Sequence, residues 1–247
     1  MKAKLLVPEN LSEITLGQYQ KFLKITKDNT DTLFINQKMV SIFCNIEMNK
    51  VLAIRYTSIK EITTHLNSLF EQKPSFIPTF KKGDFEFGFI PKLDDMTFGE
   101  YVDLDTTIAD WENIHKAMGV LYRPITTKRK NQYLIEAYES FDKYEMKQMP
   151  LNIVLGSLVF FLEFKQRIND TYTELFQSGG GESQLTAKAN FGRKWGWYSS
   201  LYGLCKGDVL QLNNVTKQPI HKCLMFLSFE KDKIETETRM LKSKMKI

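Results

Sequence analysis

The stretch Leu93-Asp94-Asp95-Met96-Thr97-Phe98-Gly99-Glu100-Tyr101 decides how this chain is read, because the chain spells it twice. Leu11-Ser12-Glu13-Ile14-Thr15-Leu16-Gly17-Gln18-Tyr19 matches it class for class, and each copy follows a proline on an apolar stub, Leu5-Leu6-Val7-Pro8 and Phe89-Ile90-Pro91. Thr15 and Thr97 are placed to cap a helix, with Gln18 and Glu100 three residues later closing a capping box. Ile14 and Met96, just outside the cap, can staple onto Tyr19 and Tyr101. Each threonine satisfies an otherwise orphaned backbone N–H, worth about 1 kcal/mol.

The likeness runs on. Leu33 to Cys44 and Trp111 to Tyr122 align Gln37 with His115, Lys38 with Lys116 and Ile42 with Val120. The expected fold is mainly α: a helical bundle built from a duplicated helix–loop–helix unit, with repeats at about 5–45 and 88–125, and a minor short β element. That element pairs residues 2–8 with the alternating run Asp84 to Ile90. Lys50 to Phe70 reads as one amphipathic helix, Thr126 to Lys130 as a basic loop, and Tyr133 to Tyr144 as a short polar helix. Pro150 opens a long helix to about Phe176, and a last helix runs from Pro219 to about Lys244. Gly179-Gly180-Gly181 marks a linker, 179–190, between a helical body, 1–178, and a C-terminal helical piece, 191–247.

Composition bounds the class. With 247 residues, 43% of them hydrophobic and 26% charged, the chain reads as a soluble folded protein. The net charge of +5 permits contact with nucleic acid without demanding it. Cys44, Cys205 and Cys223 form no CxxC pair and read as buried small hydrophobes in a reducing compartment. Met1-Lys2-Ala3-Lys4 leads into too few apolar residues for a signal peptide. The apolar run Ile153 to Leu162 is too short for a membrane span.

No catalytic, cofactor-binding or metal-ligating set is expected, and the chain reads as a non-enzyme. His65, His115 and His221 stand outside any HExxH pattern or ligand spacing. His115, opposite Gln37 in the repeat, suggests a polar contact. Asp94, Asp95, Glu100, Asp103, Asp105 and Asp110 suit the positive end of a helix dipole and a polar turn. The glycine triplet lacks the Lys and Ser/Thr of a phosphate loop. Two surfaces remain. Arg193, Trp195, Trp197, Tyr198 and Tyr202 bring together the residue types that dominate interface energy, and form a candidate partner interface. Lys128, Arg129 and Lys130 are the candidate nucleic-acid contact; Arg193 and Lys194 among aromatics also resemble a platform for single strands.

Three stretches carry a family resemblance: the paired caps Leu11–Tyr19 and Leu93–Tyr101, the run Trp111–Ile125 with its IHKAMGVLYRPI wording, and Trp195–Glu230. On these the chain resembles virion and assembly proteins of tailed bacteriophages, especially crAss-like phages. The resemblance covers less than half of the chain. It implies a structural or packaged cargo component of the virion, made in the bacterial host cytoplasm and acting on other phage structural proteins, with a homo-oligomer open. The runner-up reading is a cytoplasmic tail or head assembly chaperone that leaves before maturation, and a third, from another class, is a DNA-contacting virion protein.

Overall fold

A helix leaves its first N–H groups without intrahelical partners, and both threonine caps meet that demand in the same way. The computed structural model describes residues 5–130, 132–176 and 194–244. A 3-10 turn, Leu11–Glu13 or Leu93–Asp95, leads into each cap. Gln18 N–H donates to Thr15 Oγ1 at 3.2 Å while the Gln18 amide oxygen takes the Thr15 N–H at 2.8 Å. Glu100 and Thr97 repeat the exchange at 3.3 and 2.7 Å.

The fold is mainly α with a small four-stranded antiparallel sheet. Helices α1 (Leu16–Lys27), α2 (Thr32–Phe43), α3 (Met48–Val51) and α4 (Tyr56–Phe70) come first. Strands β1 (Thr79–Lys82) and β2 (Phe85–Phe89) precede helices α5 (Phe98–Thr107) and α6 (Ile114–Leu121). Strands β3 (Tyr122–Arg129) and β4 (Gln132–Ile135) complete the sheet, in the order β1-β2-β3-β4. Helices α7 (Leu151–Thr171), α8 (Thr173–Phe176), α9 (Trp197–Leu204), α10 (Leu212–Thr216) and α11 (Ile220–Lys244) follow.

Two compact units divide the chain: Met1–Pro91 with Thr106–Phe161, and Lys92–Asp105 with Leu162–Ile247. In the first, α1, α2 and α4 meet through Phe22, Phe43 and Phe70, with ring centroids 5.3 and 5.2 Å apart. Phe76 stacks on Phe160 at 4.5 Å, and Phe89 meets both rings edge-on. Gly156 brings α7 so close to residues 75 and 76 that an added Cβ would lie 2.5 Å from the Ser75 carbonyl oxygen. In the second unit, Phe98, Tyr101, Leu104, Ile220, Cys223 and Leu224 are buried.

Each unit contains one cap, and each cap grips the start of that unit's long helix. In the first, the Leu16 and Gly17 N–H groups donate to the Met149 and Lys147 carbonyls at 2.9 and 2.7 Å, and the Leu151 N–H returns a bond to the Ile14 carbonyl at 2.8 Å. In the second, the Phe98 N–H donates to the Gln218 carbonyl at 2.8 Å and the Ile220 N–H to the Met96 carbonyl at 2.9 Å. The bridges pair Thr15 with Pro150 and Thr97 with Pro219. Pro150 and Pro219 stand just outside α7 and α11, where a missing N–H costs nothing. Glycine follows in both caps because the backbones close in: a Cβ on Gly17 would sit 3.1 Å from the Lys147 oxygen, and one on Gly99 3.1 Å from the Thr216 oxygen.

Several expectations need correction. The two-helix unit does not recur as one, since α1 and α2 share a unit while α5 begins in the second and α6 lies in the first. Residues 5–8 join no strand; β2 pairs instead with β1 and β3. Residues 126–129 are strand, not loop, and 132–135 are strand, not helix. Tyr133 decides the matter: its ring packs against Gly88 and its hydroxyl donates to the Phe89 carbonyl at 2.9 Å. Lys50 to Phe70 is broken between α3 and α4, where Arg55 is extended. The unit boundaries fall at 91/92, 105/106 and 161/162; the expected linker, 179–190, lies outside the described residues.

Gly17→Ala and Gly99→Ala are expected to lower stability by about 1–3 kcal/mol each, because the gripped carbonyls are backbone and yield little. Gly203→Ala, in α9 with open space around it, is expected to raise stability by about 0.5–1 kcal/mol. Urea midpoints of the three variants check both signs.

Candidate functional site

The aromatic run expected to form one surface divides between inside and outside, since neighbouring helical residues point about 100° apart. Trp197 turns inward. Its ring meets Phe98 and Tyr101 edge-on, both at 5.6 Å, and its Nε1–H donates to Asp105 Oδ2 at 2.8 Å. Lys165 Nζ holds the other oxygen of the same carboxylate at 2.6 Å. Tyr198 and Tyr202, by contrast, face outward, with Tyr202 62% exposed. Trp195 is exposed too, its ring 5.8 Å from Tyr198. Arg193 lies outside the described residues.

Helix α11 carries a further apolar surface. Leu224 is fully buried, yet Phe226, Phe229, Ile234, Met240 and Leu241 are exposed. Between α9 and α11 lies a groove of about 340 Å³, lined by Gly203, Phe226, Leu227, Lys231 and Ile234 with Glu230 and Glu235 at its polar edge. The signal was in the sequence: Leu227, Ile234 and Leu241 recur every seven residues.

The base of α11 is pinned by a polar cluster. Asp94 accepts from His221 Nε2 at 3.0 Å and from Arg167 Nη2 at 3.1 Å. His221 Nδ1 lies 2.9 Å from the Tyr172 hydroxyl, which also donates to the His221 carbonyl at 3.3 Å. The His221 hydrogen bond and the Arg167 charge hold the Asp94 carboxyl below its ordinary range. Tyr172 is buried, and burial raises its hydroxyl pKa. The chemistry available is that of a tie between helices, with a partner for each polar atom.

The other acidic candidates are similarly engaged. Glu100 closes a cap, Asp105 takes Trp197 and Lys165, and Asp110 accepts from the Glu112 N–H and the Asn113 amide. His115 Nδ1 lies 3.1 Å from Gln20 Nε2, and burial lowers its pKa. All three cysteines are buried, and desolvation pushes Cys44 and Cys223 up to about 11. Among the described residues no group of His, Cys, Asp and Glu is disposed to hold a metal ion, and no helix is long and apolar enough to cross a membrane.

The basic trio sits on the β3–β4 hairpin. Lys128 pairs with Glu86 of β2 at 2.6 Å, lowering the Glu86 pKa, while Arg129 and Lys130 are exposed. Lys130 makes the turn with φ 53°.

A second surface lies in the first unit. Val7, Pro8, Gly17, Gln18, Phe43 and Cys44 are among the residues lining an open groove of about 1120 Å³ beside the Thr15 cap.

Comparison with protein-family models, with curated proteins and with solved structures finds no match for this chain.

Trp197→Ala is expected to lower stability by about 3 kcal/mol, and Tyr202→Ala to leave it within about 0.5 kcal/mol; thermal unfolding separates the two. Asp94→Asn tests the cluster by pH. A depressed carboxyl pKa adds stability above the ordinary aspartate value of about 4 and loses it as pH falls through the depressed one. The wild-type advantage over Asp94→Asn, read from urea midpoints, is therefore expected at neutral pH and to shrink as the pH falls below the ordinary aspartate range.

Proposed function

We propose that this protein is a non-enzymatic component of a tailed-phage particle, working through contacts with other structural proteins of that particle. The single observation that carries the contact half of this reading is the unburied apolar surface of α9 and α11. Tyr198, Tyr202, Phe226, Phe229, Ile234 and Leu241 are all exposed, on helices whose inward faces are already packed. Scattered single apolar residues need no explanation, but an apolar groove that Phe226 and Ile234 line, edged by Glu230 and Glu235, suits an interaction surface. The phage half rests on the resemblance carried by the paired caps, by Trp111–Ile125 and by Trp195–Glu230. The repeated Thr cap, which fastens the start of a long helix in each unit, supports a scaffold that presents helices to neighbours. The clustered polar groups support the same reading, because each is tied to a structural partner.

Mass spectrometry of purified phage particles is the test. Recovery at a fixed ratio to the other structural proteins is the expected result. Presence in infected cells with absence from mature particles would make the protein an assembly chaperone. Ile234→Asp with Leu241→Asp is expected to reduce recovery in particles at least about tenfold while leaving the circular-dichroism spectrum and melting temperature near wild type, since neither side chain contributes to the core.

A further inference from the structure

On α11, Ile220, Leu224, Leu227, Lys231, Ile234, Thr238 and Leu241 follow one another at alternating four- and three-residue steps, the spacing that keeps a seam on one face of a helix. Burial along that seam changes abruptly. Ile220 and Leu224 are fully buried, whereas Ile234 is 54% and Leu241 63% exposed. Residues 232–244 are exposed throughout, and past the α9 groove that Ile234 and Glu235 line, the remaining turns have no described element packed on them.

The charges beside the seam identify what covers it. Glu230, Glu237 and Lys244 flank one side, and Glu235 and Lys242 the other. Laid antiparallel on a second copy, with Thr238 opposite Leu241, the seam brings Glu237 opposite Lys244 and Glu235 opposite Lys242. Two-fold symmetry makes each pair twice, so all four flanking pairs are opposite in sign. Laid parallel and in register, the same seam keeps Glu237 opposite Lys242 but sets Glu230 against Glu235 and Lys231 against Lys231, so like charges offset the favourable pairs and that arrangement is disfavoured. Glu237, Lys242 and Lys244 have no ion pair within the chain among the described residues, whereas Glu235 meets Arg239 at 3.4 Å. Glu237–Lys244 is thus the pair free to choose the partner.

We propose that the exposed turns of α11 pair antiparallel with the same turns of a second copy of this chain. This deepens the contact reading by naming one partner. The seam is short, with Thr238 and Leu241 at its centre and Ile234 toward its edge, so the contact is reversible and concentration-dependent. It strengthens when copies are held together by an assembly.

Sedimentation equilibrium of the full-length protein tests it. Wild type is expected to pass from monomer to dimer with rising concentration, and Ile234→Asp with Leu241→Asp to remain monomeric with an unchanged circular-dichroism spectrum. Glu237→Lys alone and Lys244→Glu alone are each expected to weaken dimerisation about tenfold at low salt. The double exchange is expected to restore it, because the pair survives with its signs reversed. Thr238→Cys in one tagged copy is expected to form a disulfide with Leu241→Cys in another, in preference to a second Thr238→Cys. A wild type that stays monomeric at every concentration, a double exchange that fails to restore dimers, or self-linked Thr238→Cys as the main product would each overturn the proposal. Those outcomes leave particle incorporation untouched, and absence from particles would leave the dimer untouched.

Discussion

Two helix N-termini placed side by side would ordinarily repel, because each ends in unsatisfied donors and the positive end of its dipole. This chain turns that problem into a fastening. Leu16 and Gly17 of one helix donate to carbonyls just before Pro150, and Leu151 of the other returns a bond to Ile14. The Thr15 hydroxyl satisfies the next donor, from Gln18. Phe98, Ile220, Met96 and Thr97 do the same in the second unit. Each bond contributes about 0.5–1.5 kcal/mol net, but an unmet donor in a buried helix start costs about 1–3 kcal/mol. Loss of reciprocity therefore outweighs loss of any single bond.

Half of this fastening was legible in the sequence. The Thr-to-Gln and Thr-to-Glu spacing is local chemistry, and it placed both caps correctly. The gripped half is also repeated, as Pro150-Leu151-x-x-Val154-Leu155-x-x-Leu158-x-Phe160 and Pro219-Ile220-x-x-Cys223-Leu224-x-x-Leu227-x-Phe229. It passed unnoticed because leucine-rich helix starts look alike and because the partner segments are far from their caps in the chain. Once paired, they account for the discontinuous units: the order along the chain is cap, cap, grip, grip, so each unit must draw on separated segments. A contiguous division could not express that. The β4 strand was lost for a related reason, since Tyr133–Ile135 is neutral locally and its state is set by β3 and by the space above Gly88.

The aromatic run shows where residue type stops being informative. Trp195, Trp197, Tyr198 and Tyr202 all qualify as interface anchors by chemistry. Their fates differ because α5 presents Phe98, Tyr101 and Asp105 to one side of α9 and nothing to the other. Asp105 likewise could be assigned to a polar turn from sequence, yet it is the acceptor that lets an indole N–H be packed among rings. Burying that N–H without an acceptor would cost more than the ring contacts return.

The last helix divides the work between folding and recognition along its own length. Its first two turns bury Ile220, Cys223 and Leu224, and the Asp94–His221–Tyr172 cluster fixes their direction. Beyond Lys231 every described residue of the helix is exposed, so substitutions there alter little of the core. The apolar positions nonetheless keep the same seven-residue rhythm through Ile234 and Leu241. Folding has no use for a rhythm beyond the last packed turn, and helix propensity alone would be better served by alanine and charged residues than by Ile234 and Thr238. The pattern fits the proposed pairing with a second copy, for which the clasp at Pro219 would supply the fixed base.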